Sequence, residues 1–194
     1  MALSRNRTYR SLLVLISVGV VTIISSIAFN YMTRASAGSS STLEVVSNQP
    51  IADVVIDKVF VDKSERRLQL LSGDDVIRTY HIALGDSPVG HKQQEGDQRT
   101  PVGTYTLDYK NENSIAHRSI HISYPNAADK ARAQQLGVSP GGDIMIHGQM
   151  NGFGHLASIN QKYDWTDGCI AVTDDEMDEI MAAVKIGTTI EIVE

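Results

Sequence analysis

The sequence predicts a mostly β domain, sandwich-like or barrel-like, with one or two helices packed on its sheet and an apolar transmembrane helix ahead of it. Three observations carry that reading. Short segments of alternating apolar residues recur between Gly and Pro breaks after residue 50, the pattern of half-buried strands joined by turns. One stretch near the C-terminus joins a capping box to helical apolar spacing. An uncharged run near the N-terminus is long enough to cross a bilayer core.

That run comes first. Residues 11–33 carry no charge, and 12–29 are almost wholly apolar. Arg5, Arg7 and Arg10 precede it, which places the N-terminus in the cytoplasm and everything after residue 33 outside. Ala35-Ser36-Ala37 has the A-x-A form of a signal-peptidase site, but the run exceeds the roughly 7–15 residues of a cleavable signal, and Arg34 stands close before it. The balance favours a retained anchor, and either outcome exports the rest. The expected organisation is therefore a cytoplasmic N-terminus and anchor (or signal peptide) over 1–34, a Ser- and Gly-rich linker over 35–50, and a globular domain over 51–194.

Within the domain, residues 54–61 alternate as a strand. Residues 68–71 and 76–84 read as a hairpin about Ser72-Gly73-Asp74-Asp75. Further strands are expected at 103–109, 119–124, 143–147 and 188–193. A short Ala-rich helix is expected over 126–136, between Pro125 and Gly137. A second is expected over 173–186, with Thr173 and Glu176 as capping box, Met177, Ile180, Met181 and Val184 as core face, and Gly187 as the stop.

Composition narrows the function classes. With 42% hydrophobic and 21% charged residues, the chain can bury a core. A net charge of −6 with 17 Lys and Arg argues against nucleic-acid binding. The single cysteine permits neither an intrachain disulfide nor a Cys-based zinc cluster. A lone Cys is more often an inert core residue than a nucleophile, so its neighbours must decide.

Those neighbours are distinctive. A strand ending in His147-Gly148 puts an imidazole at a strand terminus, where it can line a cleft. Gly168 before Cys169 permits a tight turn that could aim the amides of both residues at one point, as an oxyanion hole requires. A neighbouring imidazole can take the thiol proton, so His147 as base and Cys169 as nucleophile suffice for acyl transfer without metal or cofactor. Activation of that kind predicts a thiol pKa below the free value of about 8.5.

These segments resemble the L,D-transpeptidase catalytic domain family (YkuD-type), in which His-Gly is followed some fifteen residues later by Ser/Thr-x-Gly-Cys. The matching residues are His147-Gly148 and Thr166-Asp167-Gly168-Cys169. Ala83-Leu84-Gly85, Ser87-Pro88-Val89-Gly90 and Thr100-Pro101-Val102-Gly103-Thr104-Tyr105 extend the likeness upstream. The resemblance implies a Cys acyl-enzyme on peptidoglycan tetrapeptide stems, with attack after meso-diaminopimelate, loss of D-Ala, and His147 as base and then acid. It also implies substrate contacts near Gly148, Thr166 and Asp167. The commoner pattern has His in place of Asp167 and Arg in place of Ala171. The chain instead follows the branch Trp-Thr-x-Gly-Cys-Ile-Ala at residues 165–171. Losing the Arg removes a substrate or loop contact, so the acceptor stays open between an amine and water. Hydrolysis, as a carboxypeptidase or as an amidase releasing a wall-linked protein, and a non-catalytic wall-binding module are the competing readings.

Other residues divide between chemistry and ordinary structure. His117 and His121 have metal-pair spacing on a helix, but they fall in a strand pattern that defeats it. His155, in the loop between His147 and Cys169, is a candidate substrate contact, as are Lys92 and Arg99 in a polar stretch otherwise read as a solvated loop. Asp164 or Asp167 is expected either to orient His147 or to serve a turn. Trp165 reads as core before lid, and Tyr80 and Tyr105 as strand packing.

Overall fold

A computed structural model describes residues 54–194. The expected anchor over 1–34, the linker over 35–50 and residues 51–53 lie outside the described residues, and no helix among those described is long and apolar enough to cross a membrane.

Eight strands form one curled sheet. In chain order they are β1 (Lys58–Asp62), β2 (Arg67–Ser72), β3 (Asp75–His81), β4 (Gly103–Asn111), β5 (Ser119–Ile122), β6 (Met145–His147), β7 (Ile170–Ala171) and β8 (Thr189–Val193). Their spatial order is β3-β2-β1-β8-β4-β5-β6-β7. β1 pairs with β8, and β6 with β7, in parallel. Alternation sets the buried face: Val59 and Val61 on β1, and Leu68 and Leu70 on β2, are fully buried while their neighbours reach solvent. β4 is where the sheet turns. Its first half, 103–106, pairs with β8 and its second half with β5.

The two ends of the strand order are then joined. Beyond His81 the chain leaves β2 and crosses to the other edge, where Ala83 and Ala171 exchange backbone hydrogen bonds of 2.9 Å and Gly85 bridges Thr166. This handover explains why the strand expected over 76–84 ends its ladder at His81. The strand expected over 54–61 starts later, at Lys58; Asp57 just before it turns its carboxylate to the Gly73 N–H in the hairpin turn, at 2.8 Å. The strand expected from 143 starts at Met145, because Asp143 takes a left-handed conformation with φ 55°.

Both predicted helices form. In α1 (Ala127–Leu136), Asn126 caps the N–H groups of Ala128 and Asp129, and Gly137 ends the helix at φ 70°. Its anchor to the sheet is polar: buried Asp129 accepts from the Tyr105 hydroxyl at 3.0 Å. A single turn, α2 (Ala157–Asn160), follows a 3₁₀ turn at Gly154–Leu156 in the loop after β6. It is too short to show a sequence period and was not expected. α3 (Asp174–Ala183) carries the predicted Thr173–Glu176 capping box and buries Met177, Ile180 and Met181. It stops before the expected residue 186, because Val184 becomes extended (ψ 131°) to bury its side chain. Gly187, at φ 95°, serves the turn into β8 instead, donating to the Leu107 carbonyl.

The core should therefore answer to truncation by position. Ile120→Ala, at a fully buried site on β5, should cost about 2–5 kcal/mol by urea unfolding. Ile115→Ala, 76% exposed in the β4–β5 connection, should stay within about 0.5 kcal/mol.

Candidate active site

The turn that carries Cys169 is fixed by backbone contact. Gly168 sits at φ 120°, and a Cβ there would lie 2.6 Å from the Arg99 carbonyl oxygen, so both conformation and space require glycine. Thr100 Oγ1 donates to the Gly168 carbonyl at 2.9 Å. Thr166 Oγ1 accepts the Gly168 N–H at 3.1 Å and donates to the Cys169 carbonyl at 2.8 Å. This corrects two expectations. The Gly168 amide is spent inside the turn, so the Cys169 N–H remains as the candidate oxyanion donor of the pair. Thr166, buried at 5% exposure, braces the turn with its hydroxyl rather than offering it to a ligand.

Parallel pairing of β6 with β7 brings the sulfur beside the start of β6. The Met145 N–H donates to Sγ at 3.4 Å, and the thiol donates to the Asp143 carbonyl at 3.6 Å. His147, at the end of β6, is buried and stands edge-on to Trp165 with ring centroids 5.6 Å apart. Its Nδ1–H donates to the Gly148 carbonyl at 2.6 Å, which fixes the tautomer and leaves Nε2 as the basic atom. The group that orients the base is thus a backbone carbonyl, not Asp164 or Asp167. Gly148 is needed there because a Cβ would meet Asp174 Oδ1 at 2.7 Å and His117 Cβ at 2.9 Å. Asp164 forks onto Arg66, with Nη2 at 2.6 Å, and accepts the Leu84 N–H, so it is an anchor of the seam.

Electrostatically, both partners are held neutral. Burial pushes the His147 imidazole below its ordinary value, against the raising effect of the Gly148 carbonyl. Burial likewise pushes the Cys169 thiol up. The Met145 N–H opposes this, and the Asp167 and Asp143 carboxylates add to it. Both shifts run opposite to the depressed thiol pKa expected from the sequence.

Cys169 and His147 open on one cleft of about 610 Å³. Asp143, Met145, Trp165, Thr166 and Asp167 share its lining, and its far wall is the β4–β5 connection, from Asn111 to Ala116. That wall was invisible in the sequence because it lies some thirty residues before His147 and carries no motif. Asn151 clamps it: its N–H donates to the Ile115 carbonyl, its Nδ2 to the Ser114 carbonyl, and its Oδ1 accepts the His117 N–H. Trp165, expected as core before lid, is a half-buried lining residue.

The remaining candidates stand elsewhere. His155 is exposed on the 3₁₀ turn and does not line the cleft. Lys92 is not available to a ligand, since its ammonium is buried against Asp97 at 2.8 Å. Arg99 lines a small separate depression with Gln93, Gln94 and Asp97, and reaches the catalytic turn only through its backbone oxygen. The stretch around them is a knot tied by Asp97, which accepts the N–H groups of Gln93, Gln94 and Arg99, rather than a solvated loop. His117 pairs with Asp178 and His121 with Asp108. Among the described residues, no group of three or more His, Cys, Asp or Glu is placed to hold a metal ion.

Comparison with known proteins agrees with this geometry. Residues 56–192 match the model of the L,D-transpeptidase catalytic domain, YkuD. The L,D-transpeptidase candidate YafK of Escherichia coli (strain K12) is 31% identical over 136 residues, covering 66% of this chain and 53% of that protein. The chain thus spans about half the length of the curated relatives it matches. Among solved structures, the helical cell shape determining protein Pgp2 of Campylobacter jejuni aligns with TM-score 0.54 at 23% identity, over 77% of this chain and 52% of that one. Bd1075 of Bdellovibrio bacteriovorus aligns with TM-score 0.51 at 22% identity, over 72% and 48%. At these identities the likeness shows the fold alone.

Two measurements test the site. Gly168→Ala should destabilise the protein by about 1–3 kcal/mol in thermal or urea unfolding. Alkylation of Cys169 by iodoacetamide should rise with pH only above the ordinary thiol range, and Asp167→Asn should move that rise to lower pH by removing a like charge. A labelling curve centred below the ordinary thiol value would contradict the neutral pair.

Proposed function

The chain belongs to the L,D-transpeptidase catalytic domain family, and on that premise we propose that it is a cysteine-dependent acyltransferase that acts on peptidoglycan stem peptides. In this reading residues 1–34 anchor it in the membrane and the domain works outside the cytoplasm. The observation that carries the catalytic part is the pair itself. A thiol and a buried imidazole of fixed tautomer open on one cleft, with Nδ1–H committed to the Gly148 carbonyl.

The chemistry follows from that tautomer. Nε2 takes the Cys169 proton as sulfur adds to the stem carbonyl, and the Cys169 N–H faces the developing oxyanion. The imidazolium then returns the proton to the leaving amine as the tetrahedral adduct collapses to a thioester. An acceptor amine, deprotonated by Nε2, displaces sulfur and regenerates the thiol; water in its place gives hydrolysis. Because His147 is held below its ordinary pKa, the acid limb of kcat/KM should fall below the free imidazole value.

Hydrolysis is the second reading, and Asp167 is the observation that favours it: the carboxylate lines the cleft in the position where the commoner family pattern has His. The test is incubation of the full-length chain, in detergent, with disaccharide-tetrapeptide and mass spectrometry of the products. Cross-linked dimer is expected for transpeptidation and tripeptide for hydrolysis. Cys169→Ala should abolish either product while leaving the unfolding transition nearly unchanged. Turnover that survives in Cys169→Ala would overturn the role of Cys169 as nucleophile, and an unmodified substrate with the wild type would overturn the enzyme assignment in favour of a wall-binding module.

A further inference from the structure

One peptide group beside the catalytic base is held from both ends. The Gly148 carbonyl accepts the His147 Nδ1–H at 2.6 Å, and the N–H of the same peptide, that of Gln149, donates to Asp174 Oδ1 at 2.7 Å. Asp174 is the first residue of α3, which packs against β6. A line of hydrogen bonds thus runs from the imidazole, through a single peptide unit, to a carboxylate.

The carboxylate is built into this position. Three acids occupy the first turn of α3, as the helix macrodipole favours. Glu176 closes the capping box with Thr173, and Asp175 is exposed. Of the three, Asp174 turns onto the catalytic segment, and two glycines leave it room. A Cβ on Gly148 would lie 2.7 Å from its Oδ1, and one on Gly154 would lie 2.3 Å from its Oδ2. The segment it meets is pinned on the other sides as well. The Gly148 N–H donates to the Arg118 carbonyl at 3.2 Å, and the His147 carbonyl accepts the Val172 N–H at 2.9 Å. The fully buried Gln149 side chain donates through Nε2 to the Val172 carbonyl at 2.8 Å and accepts from Asn160 Nδ2 at 2.9 Å.

We infer that Asp174 is a positioning residue for His147: it fixes and polarises the Gly148–Gln149 peptide, whose carbonyl carries the base. The inference rests on the reading of His147 as that base. Hydrogen bonds in series polarise one another, so a carboxylate on the peptide N–H makes the carbonyl oxygen at the other end a stronger acceptor. A stronger acceptor at Nδ1–H holds the ring in the tautomer that leaves Nε2 basic. It also stabilises the imidazolium that forms when Nε2 takes a proton. The other ionisable groups around His147 are differently engaged. Asp143, Asp167 and Cys169 share the cleft with it. His117, against Gly148, pairs with Asp178, which also accepts from Arg118, and Arg118 donates to Glu112. Among the described residues, Asp174 is the carboxylate bonded to the peptide that carries His147.

The test uses the full-length chain in detergent and two readings. The first is the titration of His147 in the resting protein, followed by NMR of ¹³C-labelled histidine and assigned by its loss in His147→Gln. The second is the pH profile of kcat/KM with disaccharide-tetrapeptide. Asp174→Asn keeps an oxygen on the Gln149 N–H and removes the charge, whereas Asp174→Ala removes both. A carboxylate favours the imidazolium, so each variant should lower the His147 midpoint by roughly half a unit to one unit, and the acid limb of kcat/KM should move down with it. The plateau of kcat should fall in the order wild type, Asp174→Asn, Asp174→Ala, the last by about tenfold to a hundredfold, with KM within about a factor of two. Asp175→Asn, which removes the same charge from the same turn, should leave midpoint and profile unchanged. A His147 midpoint and acid limb that stay in place in both Asp174 variants would make Asp174 a brace of the fold and overturn the inference, whatever happens to the unfolding transition. An equal shift in Asp175→Asn would overturn it in favour of a general charge effect of the helix end. An unmoved midpoint in an enzyme that turns over stem peptide leaves the acyltransferase reading intact. A midpoint that answers to Asp174 in a protein without turnover upholds the link to His147 and sinks that reading instead.

Discussion

Backbone laid directly on backbone at the catalytic turn is the constraint on which the rest of the domain depends. A Cβ on Gly85 would sit 2.0 Å from the Gln98 carbonyl oxygen and 2.9 Å from the Gly168 nitrogen, and one on Gly168 would meet the Arg99 oxygen at 2.6 Å. Three stretches, the end of the β3 extension, the loop at 98–100 and the turn at 166–169, therefore meet with no side chain between them. Such closeness leaves no room for water, so every polar group at the junction must find a protein partner. The hydroxyls of Thr100 and Thr166 supply those partners. The loop at 86–99 must in turn be held. Buried Lys63 does so from below, donating to the Gly90 carbonyl at 2.6 Å and to Glu194 at 3.0 Å. Burial draws the Lys63 ammonium pKa down, and the Glu194 carboxylate offsets part of that cost.

The same packing sets the electrostatics of the site. Close packing around both groups strips them of much of their solvent, so the His147 imidazole and the Cys169 thiol each favour their neutral forms. Moving the proton from sulfur to Nε2 is then uphill at rest. In the proposed reaction it would become feasible as sulfur adds to a carbonyl and the negative charge passes to an oxyanion within reach of an amide. The Met145 N–H on Sγ lowers the climb without removing it. In the proposed reaction the nucleophile would thus be activated only as substrate adds, because the neutral thiol is the weaker nucleophile at rest.

Local sequence chemistry carried much of this architecture and none of its long-range closures. The Thr173–Glu176 box and the Gly137 stop were legible because capping is a matter of three or four adjacent residues. Cys169 and His147 were legible through the motif around them, and the strands through alternation. The orienting partner of His147 was not, because a search among acidic side chains passes over the backbone carbonyl of Gly148. The oxyanion role given to Gly168 failed for a related reason: the hydroxyl of Thr166, two residues away, competes for the same N–H. Lys92 was misplaced because a cation in a polar stretch looks solvated until Asp97 is seen to gather the stretch around itself. The cleft wall at 111–116 and the seam between Ala83 and Ala171 depend on pairings dozens of residues apart, which no local period encodes.

The two departures from the commoner family pattern act at different levels. Ala171, where an Arg is more usual, is fully buried at the seam. It exchanges hydrogen bonds with Ala83 and accepts from Gln161 Nε2. Small residues on both sides let the edges of the sheet approach, and a long cationic side chain there would need an outlet that the structure does not provide. The missing Arg is thus part of how this sheet closes, not simply a lost contact. Asp167 is the opposite case. It is exposed, lines the cleft and makes no hydrogen bond that shapes the turn, so the fold would accept other residues at this position. What it contributes is a negative charge near sulfur, which raises the thiol pKa and repels an approaching carboxylate. Architecture fixes residue 171 and leaves residue 167 free to vary, so under the proposed function the selection of acyl donor and acceptor would be more readily altered beside Cys169 than at the seam behind it.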